Sequence, residues 1–82
     1  MLVLATYPSS HAALKAERLF KAAGLVPELI PVPRQIRSSC GFCLLVEGEG
    51  REALVQDTAP ESLWRVLAPE PGTLRRRYEP LP

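Results

Sequence analysis

The chain has 82 residues, 46% of them apolar, and carries ten Lys and Arg against nine Asp and Glu for a net charge of +1. That size makes one domain, residues 1–82, with a small core, and the near-balanced charge excludes a whole-molecule attraction to nucleic acid or to a membrane surface. Apolar runs fall far short of the roughly 20 residues of a membrane span, and the opening MLVLATYPSS lacks the basic region and apolar length of a signal peptide. A cytoplasmic location follows as the default, where thiols stay reduced.

Residues 2–7, LVLATY, read as a short buried strand. PSSHAALKAERLFKAAG then reads as a helix capped by Ser9 or Ser10 and ended by Gly24. Ala12, Ala16, Leu19, Phe20 and Ala23 share its expected buried face, and Leu14 stands opposite as a candidate partner contact. LVPELIPVP, residues 25–33, is extended, and its prolines suit an edge strand. Residues 34–41 form a loop. CLLVEGEGREALVQ, residues 43–56, reads as a hairpin with Gly48-Glu49-Gly50 at the tip, and a short helix at 50–56 is the alternative.

APESLWRVLA, residues 59–68, suits a second helix capped by Asp57 or Thr58. Pro60 sits in its first turn, Leu63, Val66 and Leu67 lie along one side, and Trp64 anchors it in the core. TLRRRYEPL closes the chain as a strand, with Leu74, Arg76 and Tyr78 facing one way and Arg75-Arg76-Arg77 on a solvated edge. The expected order is β-α-β-β-α-β, with room for one extra short strand before the second helix. That implies an α+β, ferredoxin-like split βαβ sandwich with two helices on one face of an antiparallel sheet, a fold that by itself decides no activity.

The chemistry concentrates in RQIRSSCGFC, residues 34–43, which holds both cysteines. Cys40 and Cys43 could form a redox pair if Gly41 permits a turn, since a disulfide needs Cα atoms about 4.4–6.8 Å apart. Thioredoxin-type pairs, however, open a helix, whereas strand-like LLVE follows here. One CxxC supplies only two zinc ligands, and His11 is the single histidine, so no metal site is expected. The third reading is one nucleophilic thiol. Cys40 follows Arg34, Arg37, Ser38 and Ser39 in a loop, and guanidinium groups and loop amides near a thiol favour its reactive form. Cys43 would then be a buried strand residue. The plain alternative is that both cysteines simply pack.

The segments SSHAALKAERLFKAAG and ELIPVPRQIRSSCG, with the apolar strand after them, resemble the putative selenium/sulfur carrier protein-like family of small bacterial proteins. The similarity runs over residues 2–47 and is strongest in PVPRQIRSSCG. It implies a ferredoxin-like domain and a cysteine that holds sulfur or selenium as a persulfide or selenopersulfide. Cys40 matches the cysteine of the family's SSCG segment, Arg34, Ser38, Ser39 and Gly41 match its neighbours, and Ser10-His11 matches a polar pair opening the first helix. Cys43 lies outside that pattern, and could resolve a persulfide only if the turn geometry holds.

The implied partners are a donor such as a cysteine desulfurase and an acceptor protein, with no cofactor, nucleic acid or membrane. The role is a relay rather than a turnover enzyme. Two other readings stand beside it: a small binding or regulatory module, a homodimer through its sheet or Leu14's face, and a CxxC dithiol redox protein.

Overall fold

The computed structural model describes residues 1–69, 71–72 and 76–82. The described elements run in the order β1 (Leu2–Thr6), α1 (Ser10–Ala22), β2 (Glu28–Pro31), β3 (Phe42–Glu47), α2 (Glu52–Asp57), β4 (Ser62–Leu67) and β5 (Arg77–Pro80). One five-stranded sheet has the order β2-β3-β1-β4-β5, with every neighbouring pair antiparallel. β3 lies between β1 and β2, which α1 connects, and β1 lies between β3 and β4, which α2 connects. This α+β arrangement is compatible with a split βαβ sandwich, and β5 extends it at one edge.

Helix α1 starts where Ser9, in extended backbone, accepts a hydrogen bond from the Ala12 N–H through its hydroxyl at 3.1 Å. Gly24, at φ +85°, ends the turn that follows. The buried stripe is Ala13, Ala16 and Phe20. The expected stripe is therefore corrected by a small rotation. Ala16 and Phe20 are buried as expected and Ala12 packs half-buried against the same cluster, but Ala13 is fully buried and Leu19 is exposed. The buried face thus centres on Ala13, Ala16 and Phe20, at i, i+3 and i+7, which pack against Ala5, Leu44 and Val46 of the sheet. Leu14 is exposed, as expected.

Alternation along the strands divides the apolar residues between two faces. Ala5, Tyr7, Leu44 and Val46 form one cluster with Ala13, Ala16 and Phe20 of α1 and Val55 of α2, so both helices cover the same face. Leu4, Cys43 and Leu45 form the second cluster, on the helix-free face. There Ile36 from the 32–41 loop closes over them, with Ile30, Val32, Trp64, Val66 and Tyr78 around the margin.

The second half of the chain departs from expectation. No hairpin forms over residues 43–56, because β3 pairs with β1 and β2 on its two sides and has no edge left for the segment after it. The alternative short helix is what forms, as α2. Gly48 is needed for a close approach rather than a hairpin tip: a Cβ there would lie 2.6 Å from the Val3 side chain, while its N–H bonds the Met1 carbonyl.

The expected second helix over 59–68 is strand β4 instead. Leu63, Val66 and Leu67 fit helical spacing, yet Trp64 and Val66 face the helix-free cluster while Leu63 packs against the other. That is the two-residue period of a strand buried on both sides. Trp64 consequently sits half-buried on the sheet, its indole N–H donating to Ser62 Oγ at 2.9 Å, rather than anchoring a helix. The expected last strand is the shorter Arg77–Pro80, β5 at the sheet edge. The fifth strand is β4, in place of the expected helix, and the residues before it that left room for an extra short strand form α2. Tyr78 is half-buried and Arg76 exposed, whereas Leu74 and Arg75 lie outside the described residues.

Candidate functional site: the Cys40 thiol

The loop from β2 to β3 is pinned at both ends. Val32 N–H bonds Gly41 O at 3.1 Å, Ile36 N–H bonds Pro33 O at 3.0 Å, and the buried Ile36 side chain anchors the turn on the helix-free face. The chain then crosses to the ends of β1 and β4. Ser38 Oγ donates to Tyr7 O at 3.4 Å and accepts from Cys40 N–H at 3.2 Å. Ser39 donates to both oxygens of Glu61, from its N–H at 3.1 Å and its hydroxyl at 2.7 Å.

These contacts put the Cys40 sulfur at the first turn of α1. Its Sγ lies 3.6 Å from Ser10 Oγ and accepts the Phe42 N–H at 3.4 Å. Because Ser9 takes the cap, the Ser10 hydroxyl is left for the sulfur. The first turn of α1 holds no acidic residue that would already complement the positive end of its dipole. Cys40 is only 5% exposed, although Ser10, Ser39, Gly41 and Phe42 around it are all exposed. The sequence places Cys40 in a loop, and so it lies. The sulfur sits just beneath the surface, because the serine contacts draw the loop onto α1.

Cys43 has a different environment. It is fully buried in the helix-free cluster, its Sγ 3.9 Å from Pro31 O. Burial, and secondarily the charge of Cys40, pushes its thiol up to about 11. Both cysteines are free thiols, and the Cys40 sulfur meets α1 on the opposite side of the sheet from the cluster that holds Cys43.

Of the other expected site residues, Ser10, Ser38, Ser39 and Gly41 converge on the thiol loop. Arg34, Arg37 and His11 are exposed, and among the described residues none of the three makes a hydrogen bond or an ion pair. Arg37 shares a surface cleft with Ser38, Ser39 and Glu61 rather than reaching the sulfur. The groups that contact the sulfur are the Phe42 N–H and the Ser10 hydroxyl rather than the expected guanidinium groups. Among the described residues no three His, Cys, Asp or Glu side chains gather as metal ligands, and no helix is long and apolar enough to cross a membrane.

Glu61 was missed from the sequence, where nothing connects it with a loop some twenty residues earlier. Hydrogen bonds from the Ser39 hydroxyl first, then from the Ser39 amide, hold its carboxyl below the usual range. A depressed folded-state value means that the latch contributes fully above the ordinary value of 4.5 and is lost as pH falls through the lower folded value. The Ser39 amide proton resonance is expected to titrate with a midpoint below 4.5, and the titration should vanish in Glu61→Gln. A Ser39 shift that ignores pH in the native protein would show that the latch does not form.

Residues 2–61, 60 of the 82, match the family model described as "Putative Se/S carrier protein-like". No curated protein and no solved structure matches the chain. The matched span takes in the whole thiol site, from Ser10 through Cys40 to the latch at Glu61, and the chain belongs to this family.

Proposed function

We propose that this chain is a cytoplasmic relay, on a ferredoxin-like scaffold extended by β5, that holds sulfur or selenium on Cys40 and hands it to an acceptor protein. Carrying this reading is the setting of the Cys40 sulfur, just under the surface with one N–H and one hydroxyl directed at it. Cys43, by contrast, sits in the opposite cluster and keeps its proton to about pH 11.

In loading, the Cys40 thiolate attacks the outer sulfur of a donor persulfide, as presented by a cysteine desulfurase. A new S–S bond forms, the donor's S–S bond breaks, and the electron pair leaves on the donor thiolate. In delivery, an acceptor thiolate attacks the outer sulfur of loaded Cys40 and releases the Cys40 thiolate. Neither step has net oxidation or reduction, and a selenopersulfide follows the same balance. Ser10, Ser38, Ser39 and Gly41 position the thiol, Cys43 is a packing residue, and Arg34, Arg37 and His11 form the charged rim that donor and acceptor meet.

Intact-mass measurement with peptide mapping, after incubation with cysteine and a cysteine desulfurase, tests this directly. A one-sulfur adduct on Cys40 that reductant removes is the expected result. Two unmodified thiols, or an adduct confined to Cys43, would remove the basis for the carrier.

A further inference from the structure

Beside Cys40 lies a shallow pocket of about 140 Å³ lined by Ser10, Ala13, Leu14, Leu29 and Phe42. Two of its five walls are the residues that touch the sulfur: Ser10 through its hydroxyl and Phe42 through its N–H. The rest is apolar, from one face of α1 and the facing residue of β2. Leu14, Leu29 and Phe42 are 42%, 37% and 47% exposed, so the pocket opens to solvent on its far side. Large apolar side chains left half in water are costly, and here all three surround one hollow next to the reactive atom. Leu14, a misfit on its own helix, is explained as a wall of that hollow.

A persulfide has two electrophilic sulfurs, and which is attacked decides the outcome. Attack on the outer atom moves it to the nucleophile and returns the Cys40 thiolate. Attack on the inner atom, Cys40 Sγ, makes a mixed disulfide with the nucleophile and expels the outer atom as hydrosulfide, or hydroselenide in the selenium case. The first is delivery and the second is loss.

We propose that the Leu14–Leu29–Phe42 pocket seats the outer chalcogen atom of loaded Cys40 and directs nucleophiles to it, away from the inner sulfur. This rests on the carrier reading above. The outer atom stands about 2 Å beyond Sγ, and the pocket borders both groups that hold Sγ. A soft, polarisable atom gains dispersion and S–aromatic contact from leucine and phenylalanine walls. The Ser10 hydroxyl at the rim gives its charge a donor. Inner attack requires a nucleophile to reach the sulfur of a residue only 5% exposed, whereas the outer atom is approachable through the open side.

The test compares native protein with Leu14→Ala and Phe42→Ala, each loaded with inorganic polysulfide. Each is then treated with one equivalent of glutathione and quenched by alkylation. Intact mass distinguishes free Cys40, left by outer attack, from the glutathione mixed disulfide, left by inner attack. Both variants change exposed side chains and keep the Phe42 N–H. Their fold is checked by circular dichroism.

Native protein should return mainly free Cys40, and the mixed-disulfide share should rise by about threefold or more in the variants as Sγ becomes accessible. An unchanged share in both folded variants overturns the pocket's role and leaves the carrier standing. Failure of native Cys40 to take up sulfur at all overturns both.

Discussion

Cys40→Ala should take up no sulfur and keep nearly native stability, while Cys43→Ala should load normally and lose about 1–2 kcal/mol. The asymmetry follows from where each sulfur sits. Cys40 Sγ makes two long contacts at the edge of the fold and belongs to neither apolar cluster. Its side chain is buried but lies at the rim rather than within a packed cluster. Its removal therefore opens less space than that of Cys43, and a loss of no more than about 1 kcal/mol is expected. Cys43 is fully buried between Leu4, Ile36 and Leu45, and truncation there leaves a void that neighbouring strands cannot close.

Serine at position 43 should cost more than alanine, because its hydroxyl would enter an apolar cluster with Pro31 O as its nearest acceptor. Alkylation of the folded protein at neutral pH should label Cys40 first, since the Cys43 thiol stays protonated to about pH 11. Urea denaturation, sulfur loading and the order of alkylation check the three parts separately. Loss of loading in Cys43→Ala, with the fold intact, would return the pair to a dithiol role. Equal alkylation of both cysteines would show that the helix-free cluster does not protect Cys43.

The first half of the chain was legible because its signals are redundant. In α1, a cap serine, thirteen residues of helical length and a terminal glycine agree. In β2, three nearby prolines mark an edge. After Glu47 the described elements are only four to six residues long, and so few residues cannot separate a period of 3.6 from a period of two. Leu63, Val66 and Leu67 satisfied the first, while Trp64, Val66 and Leu63 on opposite faces satisfy the second. Sheet pairing decided between them, since β1 offers a free side that β4 fills.

The site was half legible for a related reason. Cys40 and its serines are contiguous, so a motif can show them. The groups that act on the sulfur reach it through tertiary contact. Ser10 arrives on a helix thirty residues earlier, and Glu61 through the start of β4. Proximity in sequence favoured Arg34 and Arg37, but the turn that buries Ile36 leaves both side chains in solvent. Phe42 and Leu29 carry no polar signal at all and become visible only as walls of one pocket.

Phe20→Ala should destabilise the domain by about 3–5 kcal/mol, a large part of the 5–15 kcal/mol available to a typical domain. Phe20 is fully buried and is the one large side chain in the α1 stripe, since its companions at 13 and 16 are alanines. Most of the contact that holds α1 on Leu44 and Val46 therefore passes through a single ring. The same helix carries Ser10 to Cys40, so weakening its seat also loosens the sulfur's hydrogen bond and the Ala13–Leu14 wall of the pocket.

Under conditions where the variant remains folded, its loaded state should lose sulfur faster than native protein does. Leu19→Ala supplies the comparison. Leu19 is a similar apolar residue one position away, and it is 40% exposed. Its loss should change stability by no more than about 1 kcal/mol and leave loading unaltered. Urea melts of the two variants measure the difference. Equal losses would mean that α1 is rotated from the orientation described, with its Ser10 end no longer directed at the thiol. A Phe20→Ala protein that melts early yet retains its sulfur as well as the native chain would separate the thiol site from the helix seat.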